Sequence, residues 1–154
     1  MTPSYAVVLA ATDFSASSGG VVPHACGIAD AGATVHLVHV VEPEQYPSPL
    51  YAHYTPGRTP TAGERGRQEA ELRSRLQALV PPDAAGEGIH VEVHVPEDAD
   101  VARALLRLAE EVGADALVMG SHGRTGLAAA LLGSVVGDVI RSTTRPVLVV
   151  PIRS

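Results

Sequence analysis

Ala116-Leu-Val-Met-Gly120-Ser-His-Gly123-Arg-Thr-Gly126-Leu-Ala-Ala-Ala-Leu-Leu-Gly133-Ser134 passes from a short apolar run, through spaced glycines, to a second Gly-Ser step. Beyond it Val135, Val136, Val139 and Ile140 recur at helical spacing. Ala116 to Met119 is too short for a buried helix and reads as a buried strand. Strand, glycine loop and helix in that order are one unit of an α/β protein, and the same alternation extends outward in both directions.

Toward the C-terminus, Pro146-Val-Leu-Val-Val-Pro151 is a final strand. Toward the N-terminus, Val101, Ala104, Leu105, Leu108 and Val112 form a helical stripe, with Asp98 or Asp100 available as cap and Gly113 just past its end. Ile89 to Val95 alternates strictly, placing His90, Glu92 and His94 on one face of a half-exposed strand. Leu72, Leu76 and Leu79 mark another helix, with Glu69–Arg73 and Glu71–Arg75 spaced as ion pairs and Pro81-Pro82 as its stop. Thr34 to Val41 reads as a strand, and Tyr5 to Ala11 as the first strand, running into Thr12-Asp13. Between these two, Val22, Ala25, Cys26 and Ala29 have helical spacing, with Gly32 as the stop. Gly19, Gly20 and Pro23 leave two readings of that helix open: it starts late with Pro23 in its first turn, or it is kinked there. Glu42 to Thr61 carries five prolines and reads as a surface excursion.

The order β-α-β-α-β-α-β-α-β predicts a doubly wound parallel sheet with helices on both faces, in a single α/β domain over residues 1–154. Periodicity leaves the strand order undetermined. In any such sheet ligands bind beyond the carboxyl ends of the strands, which points to Thr12-Asp13, Val40-Val41-Glu42 and the segment from Gly120 onward.

Composition narrows the function. At 154 residues and 45% hydrophobic, with one Phe and no Trp, the chain suits one core of aliphatic side chains. The net charge of −6 opposes polynucleotide and anionic membrane surfaces, so neither nucleic acid nor membrane is an expected partner. Cys26 is the single cysteine, which excludes an internal disulfide and suits a packed core position. No basic-then-apolar leader is read at the start, and no run of about 18 apolar residues occurs, so a cytoplasmic location is expected. All eleven basic residues are arginines. Without lysine, a Walker-type phosphate loop and Schiff-base chemistry are both excluded.

The glycine segment offers an anion site that needs no lysine. Glycines let backbone N–H groups approach phosphate oxygens and adopt positive φ. A helix starting near Ser134 would aim its unpaired N–H groups, its positive dipole end and a hydroxyl at the same place. Taken alone, glycines after a strand can equally close a tight turn; the second Gly-Ser ten residues on favours the anion site.

The spacing Gly120-x2-Gly123-x9-Gly133-Ser134 resembles the ATP-binding motif of the universal stress protein family, and the resemblance covers nearly the whole chain. Thr12-Asp13-Phe14-Ser15, Val38-His39-Val40, Val118 to Arg124, Leu132 to Val135 and Arg145 to Val150 all match stretches typical of that family, in order. Ala11, where proline is frequent, and Pro23 depart from the pattern. The resemblance implies a five-stranded parallel sheet of order 3-2-1-4-5, an ATP ligand and a homodimer joined through Val147 to Val150. Carried over by position, it implies that Asp13, with Thr12 beside it, binds the ribose and that Val40 and Met119 hold the adenine. Gly120, Gly123, Gly133, Ser134 and Val135 would line the ribose-phosphate path. Arg124 either meets phosphate or is solvated, and a Mg²⁺ or Mn²⁺ bridging the phosphates would need few protein ligands.

Two function classes follow: a stress-associated regulatory module that holds the nucleotide, or a slow ATPase or nucleotidyl-type enzyme on the same fold. Gly120 to Ser134 contains no Asp or Glu, and only His122 there takes a proton, which favours the binding module. Asp13 also suits a helix cap, and His39 a packed, hydrogen-bonded position. His90, Glu92 and His94 read as an exposed polar face, because no fourth ligand lies near them in sequence.

Overall fold

The structure, a computed structural model, describes residues 2–15, 18–43, 60–121 and 132–151. Most of the proline-rich excursion and the interior of the glycine segment, including Gly123 and Arg124, lie outside the described residues.

Five parallel strands form one sheet in the order β3-β2-β1-β4-β5: β1 Val7–Ala11, β2 Thr34–Val38, β3 His90–His94, β4 Ala116–Gly120 and β5 Val147–Val150. This is the order the resemblance implied. The helices are α1 Val21–Ile28, α2 Ala62–Ala78, α3 Val101–Val112 and α4 Ser134–Ser142. Side chains on one sheet face pack with Val21, Val22, Ala25 and Cys26 of α1 and Leu76 of α2. Those on the other pack with Ala102, Leu105 and Ala109 of α3 and Val136 and Val139 of α4. Val8, Leu9 and Ala10 of the central strand are fully buried, as a strand covered on both faces must be. Leu9, Leu37, Leu76, Leu105 and Leu117 are the largest enclosed side chains, each stabilising the fold by roughly 1.5–3 kcal/mol.

The open question about the first helix is resolved. α1 starts late, capped by Gly20, so that Pro23 falls in its first turn, where its missing N–H costs nothing. Gly20 also permits close approach: a Cβ there would stand 3.0 Å from Val150 Cγ1. α3 begins at Asp100, whose carboxylate accepts the Arg103 N–H at 3.0 Å, and closes on Gly113 in the left-handed region. At its far end Arg145 donates to Glu110 and to the Ala114 carbonyl, fastening α3 to the approach to β5. The Arg145 guanidinium beside Glu110 holds that exposed carboxyl below its ordinary range.

β1 feeds β2 on one side of the sheet, whereas β3 crosses over to β4 on the other, so the chain reverses direction between β1 and β4. The crevice at that reversal is where the site lies.

Candidate functional site

A cavity of about 250 Å³ opens beyond the carboxyl ends of β1, β2 and β4. Its lining among the described residues includes Ala11 to Asp13 from the end of β1, Val38 to Val40 from the end of β2, Met119 and Gly120 of β4, and Gly133 to Val136 where α4 begins. Of the residues singled out from sequence, Thr12, Asp13, Val40, Met119, Gly120, Gly133, Ser134 and Val135 come together around it.

Each wall is built by local hydrogen bonding. Thr12 N–H donates to the Val38 carbonyl at 3.0 Å, carrying the β1–β2 ladder one step past the strand. The Thr12 hydroxyl then accepts from Phe14 N–H, and Asp13 Oδ1 accepts from Ser15 N–H at 2.9 Å. Both are short side-chain turns that hold the loop after β1 without a helix. Asp13 therefore does not cap α1, whose cap is Gly20. Phe14 takes φ +62, the only positive φ outside glycine among the described residues. The Arg75 guanidinium lies 4.0 Å above its ring, and the His39 ring lies 4.7 Å from it on centroids. These contacts offset a backbone conformation that costs a bulky residue about 1–2 kcal/mol.

His39 is buried, and its Nδ1 donates to the Thr12 carbonyl at 2.9 Å, which sets the protonated nitrogen. It is thus the packed, hydrogen-bonded histidine expected, and it braces the loop that carries Asp13. On the opposite wall, Ser121 N–H donates to the Val150 carbonyl and Gly133 N–H returns to the Ser121 carbonyl, both at 2.9 Å. The two ends of the glycine segment are thereby tied together, and the start of α4 is seated at the end of β4. Gly133 is buried and caps α4 in an extended conformation, φ −60, so the expected positive φ does not apply at this position. Its value here is the absence of a side chain beside the cavity. The first N–H groups of α4 have no acceptor within the helix and bring its positive dipole end to the cavity rim.

Val38, Val40, Leu105 and Met119 form an apolar floor between Asp13 and the start of α4. Val101 and Leu105 were read from sequence only as a core stripe. They turn out to close the cavity because α3 packs against β1 and α4, a relation that helical spacing does not encode. Ser18, whose hydroxyl donates to the Ser15 carbonyl at 2.7 Å, also lines the cavity and carried no sequence signal.

A doubly wound sheet with a polar-and-apolar crevice at its reversal defines the class: an α/β protein whose cavity lies where sheets of this kind take ligands. The sequence profile of the Universal stress protein family matches residues 4–151, and the chain belongs to that family. It is 33% identical over 125 residues to universal stress protein MJ0531 of Methanocaldococcus jannaschii, covering 77% of this chain and 72% of that one. A shorter stretch of 46 residues is 50% identical to universal stress protein MJ0577 of the same organism, spanning 28% of that relative's length. The solved structure of MJ0577 superposes with a TM-score of 0.75 at 24% identity, over 97% of this chain and 98% of that one. A universal stress protein solved in complex with cAMP superposes with a TM-score of 0.63 at 29% identity, over 97% and 99%.

Proposed function

We propose that the chain binds an adenine nucleotide, ATP, in this cavity and holds it rather than turning it over. The observation that carries the reading is a single crevice with three chemically distinct walls: the Asp13 carboxylate, the Val40–Met119 apolar floor and the N-terminus of α4. A ribose hydroxyl suits the first, a purine face the second and a phosphate the third. The cAMP complex of the neighbour supports an adenine nucleotide as the ligand class. Gly120, Gly123, Arg124, Gly133 and Ser134 are the groups we assign to a longer phosphate chain. A Mg²⁺ or Mn²⁺ would ride on phosphate oxygens and water at the α4 end, where Leu132 to Val136 offers no carboxylate; Asp13 and Glu42 are the carboxylates of the described lining. We read the protein as a cytoplasmic, stress-associated regulatory module whose nucleotide occupancy alters its partner surface.

Backbone N–H groups and one hydroxyl bind the ground state and the transition state of phosphoryl transfer nearly alike, which tightens binding without speeding chemistry. A chain without lysine lacks the phosphate-loop cation that fast transfer draws on, and Gly120 to Ser134 carries no Asp or Glu to serve as its base. Denaturing the purified protein and identifying released nucleotide by mass spectrometry tests the ligand; calorimetric titration with ATP, AMP and cAMP ranks them, and ATP must bind most tightly. Phosphate release with saturating Mg²⁺ should stay far below about 1 s⁻¹, the low end for ordinary enzymes. Sustained release at that rate would make the protein an enzyme.

A further inference from the structure

His36 and His94 meet away from the cavity, on the outer part of the sheet. In the β2–β3 register Glu92 stands directly across from His36, and His94 two residues further along, so all three project from the same face. His36 Nδ1 lies 2.8 Å from His94 Nε2 and 3.6 Å from a Glu92 carboxylate oxygen. One ligand atom from each residue falls within 4.8 Å of the other two. His90, which shares the β3 face in sequence, is not part of the cluster; the buried His36 of β2 takes its place, 58 residues from His94, a partner that strand spacing alone does not reveal.

We propose that His36 Nδ1, His94 Nε2 and the Glu92 carboxylate bind a divalent transition-metal ion of the zinc type, with water completing the shell. Two imidazoles and a carboxylate are a donor set suited to such ions and not to Mg²⁺ or Ca²⁺, which take oxygen ligands. Metal–nitrogen bonds of 2.0–2.1 Å in a tetrahedral shell place the two nitrogens about 3.3 Å apart, so the imidazole pair has to open by only about 0.5 Å. The Glu92 oxygen already stands near that separation from His36. The paired imidazoles satisfy one another through one N–H···N hydrogen bond, and a metal would bond both nitrogens once the donating ring carries its proton on its other nitrogen. Burial lowers the proton affinity of both rings and His36 lowers that of His94 further, while the Glu92 carboxylate acts in the opposite direction on both. His36 anchors the site at 7% exposure, while the Glu92 side chain, 62% exposed, leaves an entry path from solvent. Glu111 of α3 adds attraction for a cation near His94; Arg73 of α2 opposes it, though its guanidinium is engaged by Glu69 and the Val93 carbonyl. None of the three ligands lines the nucleotide cavity, so this site does not depend on the function proposed for that cavity.

The test uses untagged, chelator-stripped, nucleotide-free full-length protein titrated with Zn²⁺ against a chromophoric chelator, with Co²⁺ absorption as the signature of a tetrahedral shell. One ion per chain is expected, with an intense visible Co²⁺ band. His94→Gln should weaken Zn²⁺ binding at least about tenfold, the lower end of what loss of even an outer-shell partner costs. Glu92→Gln, at an exposed side chain, should weaken it in the same direction and serves if His94→Gln fails to fold by circular dichroism. Wild-type binding that is no tighter than that of the folded variants, or that survives both substitutions within twofold, overturns the proposal and places the metal on other histidines.

Discussion

At the residue scale, the candidate site depends on a few positions where a small change has a large effect, and Gly133 is the clearest. Its φ of −60 is open to any residue, so valine there is tolerated by the backbone, and the consequence falls on the space in front of α4. Gly133→Val is expected to keep its circular dichroism spectrum and to lose ATP affinity more than about a hundredfold, equivalent to about 2.7 kcal/mol; unchanged affinity in calorimetry would remove the phosphate end of the assignment. The sequence identified this glycine by its spacing and gave two reasons, close approach to phosphate and positive φ; the second does not apply at Gly133, and among the described residues Gly32, Gly88 and Gly113 are the glycines that adopt it. Cys26 was legible in full. It is buried on α1, and burial, with Asp83 and Glu87 nearby, raises its thiol above the ordinary range. Because the thiolate is the reactive form, Cys26 should resist a disulfide reagent in the native protein at pH 8 and react within minutes in denaturant. Rapid native reaction would mean that α1 opens from the sheet.

At the element scale, apolar periodicity found every strand and helix described, because each buries a face whose spacing is written in the chain. It was weaker at ends. The sequence extended the second strand to Val41, whereas β2 ends at Val38; from His39 the chain leaves β1 to wall the cavity while His39 and Val41 stay hydrogen-bonded to the β3 side. α2 begins at Ala62 behind a capping box formed by Thr61 and Glu64, a Thr-x-x-Glu signal that the preceding prolines obscured. A 3₁₀ turn over Ala84–Glu87, closed by Gly88, went unread because four residues carry too little periodicity. Of the expected pairs on α2, Glu69–Arg73 forms at 3.0 Å, while Arg75 lies over Phe14 and connects the helix to the loop bearing Asp13. α3 offers a test of capping that avoids the floor of the cavity. Asp100→Ala removes the acceptor for Arg103 N–H and should lower stability by about 1 kcal/mol, read as a fall in the urea midpoint at unchanged slope. No shift would show that Asp98, which accepts the Asp100 N–H and pairs with Arg103, holds the turn by itself.

At the scale of the whole molecule, the sheet has two edges, and they differ in kind. β3 presents His90 and Glu92, exposed polar groups of the sort that discourage a further strand from adding. β5 is Val147-Leu-Val-Val150 between Pro146 and Pro151, with no charge along it, and its three leading residues remain half-buried in the single chain. An apolar edge of this kind is an aggregation hazard unless another chain covers it, and a second copy aligned by a two-fold axis covers both edges at once. We therefore predict a homodimer through β5. The same strand anchors the end of β4 through Ser121 and packs against Gly20 at the start of α1, so the proposed interface adjoins the frame of the cavity. Sedimentation of the wild-type chain should give a dimer at high micromolar concentration. Val149→Lys, checked for folding by circular dichroism, should give a monomer, because a charge placed where two apolar edges meet cannot be paired by the identical charge of the other copy. A wild-type protein that stays monomeric at that concentration sinks the idea, and a dimer that survives Val149→Lys moves the interface to another surface.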